Sequence, residues 1–299
     1  MSKEPPFTKE EVREYLVERN IESLEQCLEE AGMKKDVSFD FLRNPDGSMV
    51  VFSKRIPFLI KHNNQKYVLK TYENYEQPEI EKKIMVHLQG SLAPDILYLG
   101  KNFFIEEYID PAIFFPLDKI ADNKEHRIPD NLALTNASKI GGQIYAKLAK
   151  KQVIYTHNRW IYEFQTSPNR DVVVDLALGK FFRRKGDMKV FDDIIDLVGK
   201  GGLSAFTENL FKYLGISVSG NKELFEETNS TIENLNTDLE SKLNIMNSWN
   251  AGFYGLRQYL ETRQPGSVLA CSNLLAENKA LPIQFLHSFR DEYVGLGKA

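Results

Sequence analysis

The chain has 299 residues, of which 42% are hydrophobic and 27% are charged. Those proportions are typical of a soluble globular protein, and the length fits one large domain or two ordinary ones. Thirty-eight Lys and Arg against 42 Asp and Glu leave a formal charge of −4. That balance gives no sign of the basic surface that nucleic-acid binding requires.

Two cysteines are present, Cys27 and Cys271, too few for a disulfide framework or a cysteine-based metal site. The N-terminus lacks the apolar segment of a signal peptide, and no run of about 18 apolar residues occurs. We therefore expect a cytoplasmic protein whose partners include neither nucleic acid nor a membrane.

Residues 1–35 are predicted to form a helical N-terminal extension. Thr8 and Glu11 have the spacing of a capping box, and Asn20 marks a break between two short helices. Apolar residues recur at roughly helical spacing on both sides of that break, namely Val12, Leu16, Ile21, Leu24 and Leu28.

Residues 36–110 are predicted to form an antiparallel sheet with one helix. Turn residues at 44–47 and 63–64 separate alternating apolar segments, as in hairpins. The helix follows Pro78 and places Glu81 on the same face as three apolar residues, which are Ile84, Met85 and Leu88. The predicted strands lie at 37–42, 49–52, 56–61, 66–71, 96–99 and 103–108.

Residues 111–299 are predicted to be mostly helical after a connector that ends near 130. The first helix carries an apolar stripe that reaches Val153. Further helices are expected at 188–198 and 203–214, and a long one begins at Ser230 and runs through Trp249. The stripe of the first helix is formed by Ile140, Ile144, Tyr145 and Leu148.

Two apolar strands end in opposite charges about a hundred residues apart. Residues 67–70 read Tyr-Val-Leu-Lys and end in Lys70, and residues 171–175 read Asp-Val-Val-Val-Asp and end in Asp175. A carboxylate at the end of a buried strand needs a polar partner. The two strands therefore predict a polar site between two lobes.

This order of elements resembles the protein-kinase-like superfamily, most closely its compact atypical members such as the RIO and the aminoglycoside or lipopolysaccharide kinases. The resemblance covers roughly residues 37–182. It implies an α+β, two-lobed fold in which residues 36–110 form the N-lobe and residues 111–299 a mostly helical C-lobe. It also implies that ATP and Mg²⁺ bind in the cleft between the lobes.

The resemblance assigns roles to single residues. In that family a strand lysine holds the nucleotide phosphates and a helix glutamate pairs with it. Those roles fall on Lys70 and Glu81, with Glu79 as the alternative glutamate. Asp175 matches the metal-binding aspartate, because Mg²⁺ takes carboxylate and phosphate oxygens, although Leu176 and Ala177 follow it in place of the usual Phe-Gly.

The segment from Phe103 to Asp110 resembles the strand that runs into the kinase hinge. The hinge binds the adenine edge through its main chain. The resemblance therefore implies that a base pocket is lined by the backbone of Glu106, Glu107, Tyr108 and Ile109.

The catalytic loop departs from the family pattern of His-x-Asp followed by Asn. If residues 153–154 precede the motif, His157 takes the Asp position and Tyr162 the Asn position. If His157 is the motif histidine, Arg159 takes the Asp position. The usual base is absent under both alignments, and a glycine-rich loop is absent before Lys70. His157, which titrates near neutral pH, is the candidate base, and a hydrogen-bonded structural histidine is the alternative.

Three functions stay open on the sequence. The first is an ATP-dependent phosphotransferase of divergent kinase type. The second is a pseudokinase that acts as a scaffold or regulator and binds a protein partner through residues 1–35 and 200–299. The third is an α+β interaction module whose element order resembles a kinase by coincidence.

Overall fold

The computed structural model describes residues 8–33, 36–43, 50, 55–72, 78–118, 131–157, 159–177, 179–181, 189–263 and 274–296. The chain divides into two compact units, Met1–Asp110 and Pro111–Ala299. Among the described helices, none has the length and apolar character needed to cross a membrane.

In its described residues, the first unit is an antiparallel sheet of five strands with three helices. The strand order is β1-β2-β3-β5-β4, and the predicted antiparallel sheet is confirmed. The strands are β1 (Val37–Phe41), β2 (Phe58–His62), β3 (Gln65–Thr71), β4 (Ile96–Leu99) and β5 (Phe103–Glu107). The helices are α1 (Lys9–Val17), α2 (Leu24–Glu30) and α3 (Glu79–Leu88).

The two N-terminal helices form as their sequence predicts. The Thr8 hydroxyl accepts from the Glu11 amide, and the Glu11 carboxylate accepts from the Thr8 amide at 2.6 Å, which satisfies two donors at the start of α1. Asn20 has a φ of 54° and ends the turn that follows α1. The apolar faces of α1 and α2 pack on one face of the sheet, with Leu16, Leu24, Cys27 and Leu28 against Phe58, Ile60, Leu69 and Ile105.

The β2–β3 hairpin determines which residues occupy the other face of the sheet. Asn63 and Asn64 form its turn with φ values of 51° and 63°, the positive φ that a tight hairpin requires. Leu69 lies opposite Ile105 and faces α1 and α2. Because side chains alternate along a strand, Lys70 projects from the opposite face.

The predicted turn at 44–47 lies outside the described residues, and so does most of the predicted strand at 49–52. Val50 is the exception, and its amide donates to the carbonyl of Leu42 at 2.9 Å.

Where it is described, the second unit is mostly helical and carries two small antiparallel sheets, β6-β8-β9 and β7-β10. Its strands are β6 (Phe115–Pro116), β7 (Val153–Tyr155), β8 (Phe164–Thr166), β9 (Asp171–Val173) and β10 (Gly179–Phe181). Its helices are α4 (Asn131–Lys150), α5 (Trp160–Glu163), α6 (Lys189–Leu214), α7 (Lys222–Glu233), α8 (Leu239–Arg263), α9 (Leu274–Glu277) and α10 (Ala280–Val294).

Several predicted boundaries in this unit are wrong. The first helix ends at Lys150 rather than near Val153, because Gln152 adopts a φ of 56° and the chain then enters β7. The long helix predicted from Ser230 is two helices, since Ser230 lies inside α7 and α8 begins at Leu239. The helices α9 and α10 have no counterpart among the predicted elements.

Helix α4 approaches α10 closely at Gly142 and approaches α5 closely at Gly141. A Cβ atom on Gly142 would lie 2.4 Å from the carbonyl oxygen of Phe285, and one on Gly141 would lie 2.2 Å from the ring of Trp160. Real Cβ atoms do not approach backbone oxygen so closely, so the helix spacing requires glycine at position 142. Trp160 is fully buried, and its Nε1 donates to the carbonyl of Gly252 at 3.0 Å, which anchors α5 beside α8.

Gly142→Ala is expected to destabilise the protein by about 1–3 kcal/mol, as overpacking does. The same change at an open helix position stabilises a protein by up to about 1 kcal/mol. Whether Gly142→Ala destabilises or stabilises the protein therefore tests the close approach of α4 and α10. Chemical denaturation measured by circular dichroism provides the free energy of unfolding.

Gly220→Ala is the matched control, because a Cβ atom there meets nothing closer than 3.9 Å. Its free energy of unfolding should change by less than about 0.5 kcal/mol. A Gly142→Ala variant as stable as the Gly220→Ala variant would contradict the packing described for α4 and α10.

Candidate functional site

Lys70 lies near the end of β3 with only 4% of its surface exposed. Its Nζ lies 2.5 Å from Glu106 Oε1, in an ion pair between neighbouring strands. The register of β3 and β5 explains this pair, because Val68 lies opposite Glu106 and Lys70 is two residues further along the same face. Diagonal neighbours of this kind are within reach of long side chains.

Glu81 lies on the buried face of α3 with Ile84, Met85 and Leu88, as the helical period predicts. Arg55, which is 1% exposed, donates from Nη2 to both oxygens of the Glu81 carboxylate at 2.6 Å. Glu79 is exposed and pairs with Lys82 at 3.0 Å. Of the two candidate glutamates, Glu81 is therefore the buried one.

Arg55 with Glu81 and Lys70 with Glu106 form two buried ion pairs in the described part of the first unit. All four are buried, and their formal charges balance. Removing ions from water is expensive, and apolar side chains of similar volume often stabilise a core as well as a buried ion pair does. Two such pairs in one unit are therefore weak evidence for stability.

The predicted hinge residues occupy the end of β5 and the residues after it. The Glu107 amide donates to the carbonyl of Asp95 at 2.7 Å, and its carboxylate accepts from the Asp95 amide at 3.0 Å. Tyr108 and Ile109 are half-buried. Partial burial, followed by the charge of Asp110, raises the pKa of Tyr108. The role of this backbone in binding adenine stays a prediction.

Asp175 follows β9 and is 8% exposed. Its Oδ1 accepts from the Ala177 amide at 3.1 Å, so the side chain forms the turn in which it sits. The Asp175 carbonyl accepts from the Tyr155 hydroxyl at 2.8 Å. This turn is therefore tied to β7, the strand that precedes His157.

His157 lies two residues after β7 and bonds to a glutamate that the sequence did not single out. Its Nδ1 lies 2.6 Å from the Glu163 carboxylate. The Tyr155 hydroxyl donates to Oε2 of the same carboxylate. We call Tyr155, His157 and Glu163 the Glu163 network.

Burial and charge act in opposite directions on His157. Burial and the charge of Arg159 lower the pKa of the imidazole. The hydrogen bond and the charge of Glu163, together with the charge of Asp175, outweigh them and raise the pKa above its ordinary value. For Tyr155, burial and then the charge of Glu163 raise the pKa well above its ordinary value. Tyr155 therefore stays protonated and acts as a donor at neutral pH.

Short elements hold the network in place. Glu163 is the last residue of α5, and its carbonyl accepts from the Val174 amide at 3.0 Å. In addition, β7 pairs with β10 so that Tyr155 lies opposite Gly179. The backbone therefore brings His157, Glu163 and Val174, the residue before Asp175, together within the second unit.

Within the described part of the chain, no group of three or more His, Cys, Asp or Glu could hold a metal ion. Mg²⁺ usually takes one or two carboxylates and completes its shell with water and substrate phosphates. Asp175 fits the part of such a carboxylate in chemical type, and its role as a metal ligand stays a prediction.

Arg55 and Glu163 are not among the residues that the sequence predicted for the site. Arg55 directly precedes the apolar run that becomes β2, and Glu163 directly precedes the apolar Phe164 that begins β8. A charge next to a buried strand was the signal used for Asp175, and it applies equally to these two residues.

Glu81→Gln is expected to lower the free energy of unfolding by about 3 kcal/mol, because loss of one partner of a buried ion pair typically costs that much. The Gln side chain keeps the shape of Glu81 but carries no charge opposite Arg55. Urea denaturation of the full chain measures the effect.

Glu79→Gln serves as the control, since the Glu79 side chain is 68% exposed in its pair with Lys82 and exposed pairs contribute about 1 kcal/mol or less. Equal losses in the two variants would show that the Arg55–Glu81 pair is no more important than a surface contact.

Comparisons with known proteins assign no family. No protein-family model matches the chain, and no curated protein matches it significantly. A solved structure described as WaaP in complex with acyl carrier protein matches at 14% identity with a TM-score of 0.35, over 93% of this chain and 96% of that one. A likeness at that level is too low to assign a fold or a function to this chain.

Proposed function

We propose that this protein binds ATP with Mg²⁺ and transfers the γ-phosphoryl group to a substrate hydroxyl. The observation that carries the proposal is the Glu163 network, in which the base candidate His157 bonds to a buried carboxylate that Tyr155 links to the turn holding Asp175. A proton acceptor and a carboxylate suited to a metal therefore share one short stretch of structure.

Lys70 supplies the charge for the nucleotide phosphates in this proposal. Its ammonium is buried and is held by the Glu106 carboxylate. A lysine ammonium is a compact point charge that can bind a phosphate, and the carboxylate holds it in place. Arg55 and Glu81 form the second buried ion pair of the first unit. In this proposal, that pair supports α3 beside the phosphate site.

The transfer step needs a proton acceptor and charge neutralisation. The substrate oxygen forms a bond to the γ-phosphorus while the bond from that phosphorus to the β–γ bridging oxygen breaks. The electron pair of the broken bond leaves with ADP, and the hydroxyl proton passes to Nε2 of His157. Asp175 would hold the Mg²⁺ ion, which neutralises charge on the phosphate oxygens.

ATP with Mg²⁺ is expected to raise the Tm of the protein by several degrees, since a ligand at 100 times its Kd stabilises by about 2.7 kcal/mol. Lys70→Met and Asp175→Asn should each abolish that rise. Thermal-shift titration of each variant, compared with the same variant without nucleotide, separates lost binding from lost stability.

Two controls match these variants. Lys61→Met changes an exposed lysine on β2, the strand next to that of Lys70. Asp171→Asn removes a carboxylate that pairs with Lys147 at 2.5 Å and lies four residues before Asp175. Both controls should keep the nucleotide-dependent rise in Tm. The absence of any rise in the unmodified protein would contradict ATP binding, and a full rise in both site variants would contradict the assigned residues.

Turnover distinguishes a phosphotransferase from a pseudokinase. ADP release by the unmodified protein should fall by roughly 100- to 10,000-fold in His157→Ala, the range for a general base. Nucleotide binding with no ADP release above background, tested across hydroxyl substrates and with water as acceptor, would favour the pseudokinase instead.

A further inference from the structure

We propose that Glu163 is a positioning residue that fixes His157 as the Nδ1–H tautomer and so presents Nε2 as the proton acceptor. Its effect on catalysis rests on the function proposed above. The tautomer itself does not depend on that function and can be measured without nucleotide or substrate.

The geometry dictates which nitrogen carries the proton. An ionised carboxylate can only accept hydrogen bonds, so the contact of 2.6 Å to Glu163 requires a proton on Nδ1. In the neutral ring the other nitrogen then has the lone pair. The His157 side chain is 26% exposed, whereas the Glu163 side chain is 6% exposed, so the buried carboxylate holds a ring that solvent and substrate can reach.

Tyr155 makes the carboxylate a fixed acceptor. Its hydroxyl donates to Glu163 and to the carbonyl of Asp175, and one hydroxyl proton is shared between these two acceptors. Two donors converge on one carboxylate, which cannot turn away from His157 without losing both.

The groups that face His157 have opposite effects on its charge. Glu163 and Asp175 favour the imidazolium, whereas burial and Arg159 oppose it. A base held by Glu163 should therefore lose activity as the pH falls through a pKa above the ordinary value. Removing the Glu163 charge should move that acid limb of the rate profile to lower pH.

Long-range ¹H–¹⁵N NMR on the uniformly labelled full chain measures the tautomer directly. The chain has five histidines, and a His157→Gln variant identifies the signals of His157. In the unmodified protein at alkaline pH, His157 should show a protonated Nδ1 and an unprotonated Nε2. In Glu163→Gln the amide offers both a donor and an acceptor, so the ring should become a mixture of tautomers and titrate at lower pH.

Glu227→Gln is the matched control, because Glu227 forms a second glutamate–histidine contact, with Nε2 of His287, at the same 2.6 Å. That variant should alter the signals of His287 and leave the tautomer and the titration of His157 unchanged. It should also leave turnover unchanged.

Turnover distinguishes a positioning role of Glu163 from a purely structural one. Glu163→Gln should lower kcat by about a hundredfold, as misplacement of a catalytic group does, with the KM for ATP nearly unchanged. The acid limb of the remaining activity should lie at lower pH than in the unmodified protein.

Two results would overturn the inference. The first is a neutral His157 ring, in the unmodified protein at alkaline pH, that carries its proton on Nε2; this result does not depend on whether Glu163→Gln folds. The second is a folded Glu163→Gln variant in which His157 keeps its tautomer and its titration. Absence of turnover in the unmodified protein would contradict the proposed function alone, because the NMR result stands by itself.

Discussion

The buried charge of Glu163 is the constraint on which the second unit's candidate site depends. A glutamate that is 5% exposed needs hydrogen bonds or an opposite charge to compensate for the burial of its carboxylate. Tyr155 and His157 provide that compensation from the strand and the loop directly upstream. The hydrogen bonds to the Glu163 carboxylate therefore hold the loop around His157 in place, and the bond from His157 also orients its imidazole.

The first unit meets a related constraint with a sheet that has two different faces. One face is apolar and is covered by α1 and α2. From the other, Lys70 and Glu106 project and pair at 2.5 Å. The alternation of side chains along β3 produces this division, since Leu69 and Lys70 are consecutive residues with opposite environments. A shift of one residue in register would bury Lys70 beneath the N-terminal helices, so the hairpin turn at 63–64 also fixes the position of the lysine.

Local patterns in the sequence could predict much of this arrangement, and contacts between distant segments could not. The helical period placed Glu81 on a buried face, and two asparagines marked the β2–β3 turn. The partner of Lys70 depends on β3 lying beside β5, which are not consecutive strands. The break between α7 and α8 contains no Gly or Pro, and its signal was Asp238, whose carboxylate accepts from the Ser241 amide at 2.7 Å. The role of Glu163 could not be predicted without knowing that α5 lies beside the end of β7, where Tyr155 and His157 contact the carboxylate.

The two histidine–glutamate contacts of the second unit show why burial, rather than distance, distinguishes a candidate base. His157 and His287 both lie 2.6 Å from a carboxylate. The Glu227 side chain is 30% exposed, so water screens its charge and competes for its oxygens. The Glu163 side chain is 6% exposed, and Tyr155 donates to it as well. Glu227 also accepts from Thr231, at 3.4 Å, so a second donor does not separate the two carboxylates. Low exposure does, and it gives the histidine held by Glu163 the more fixed orientation.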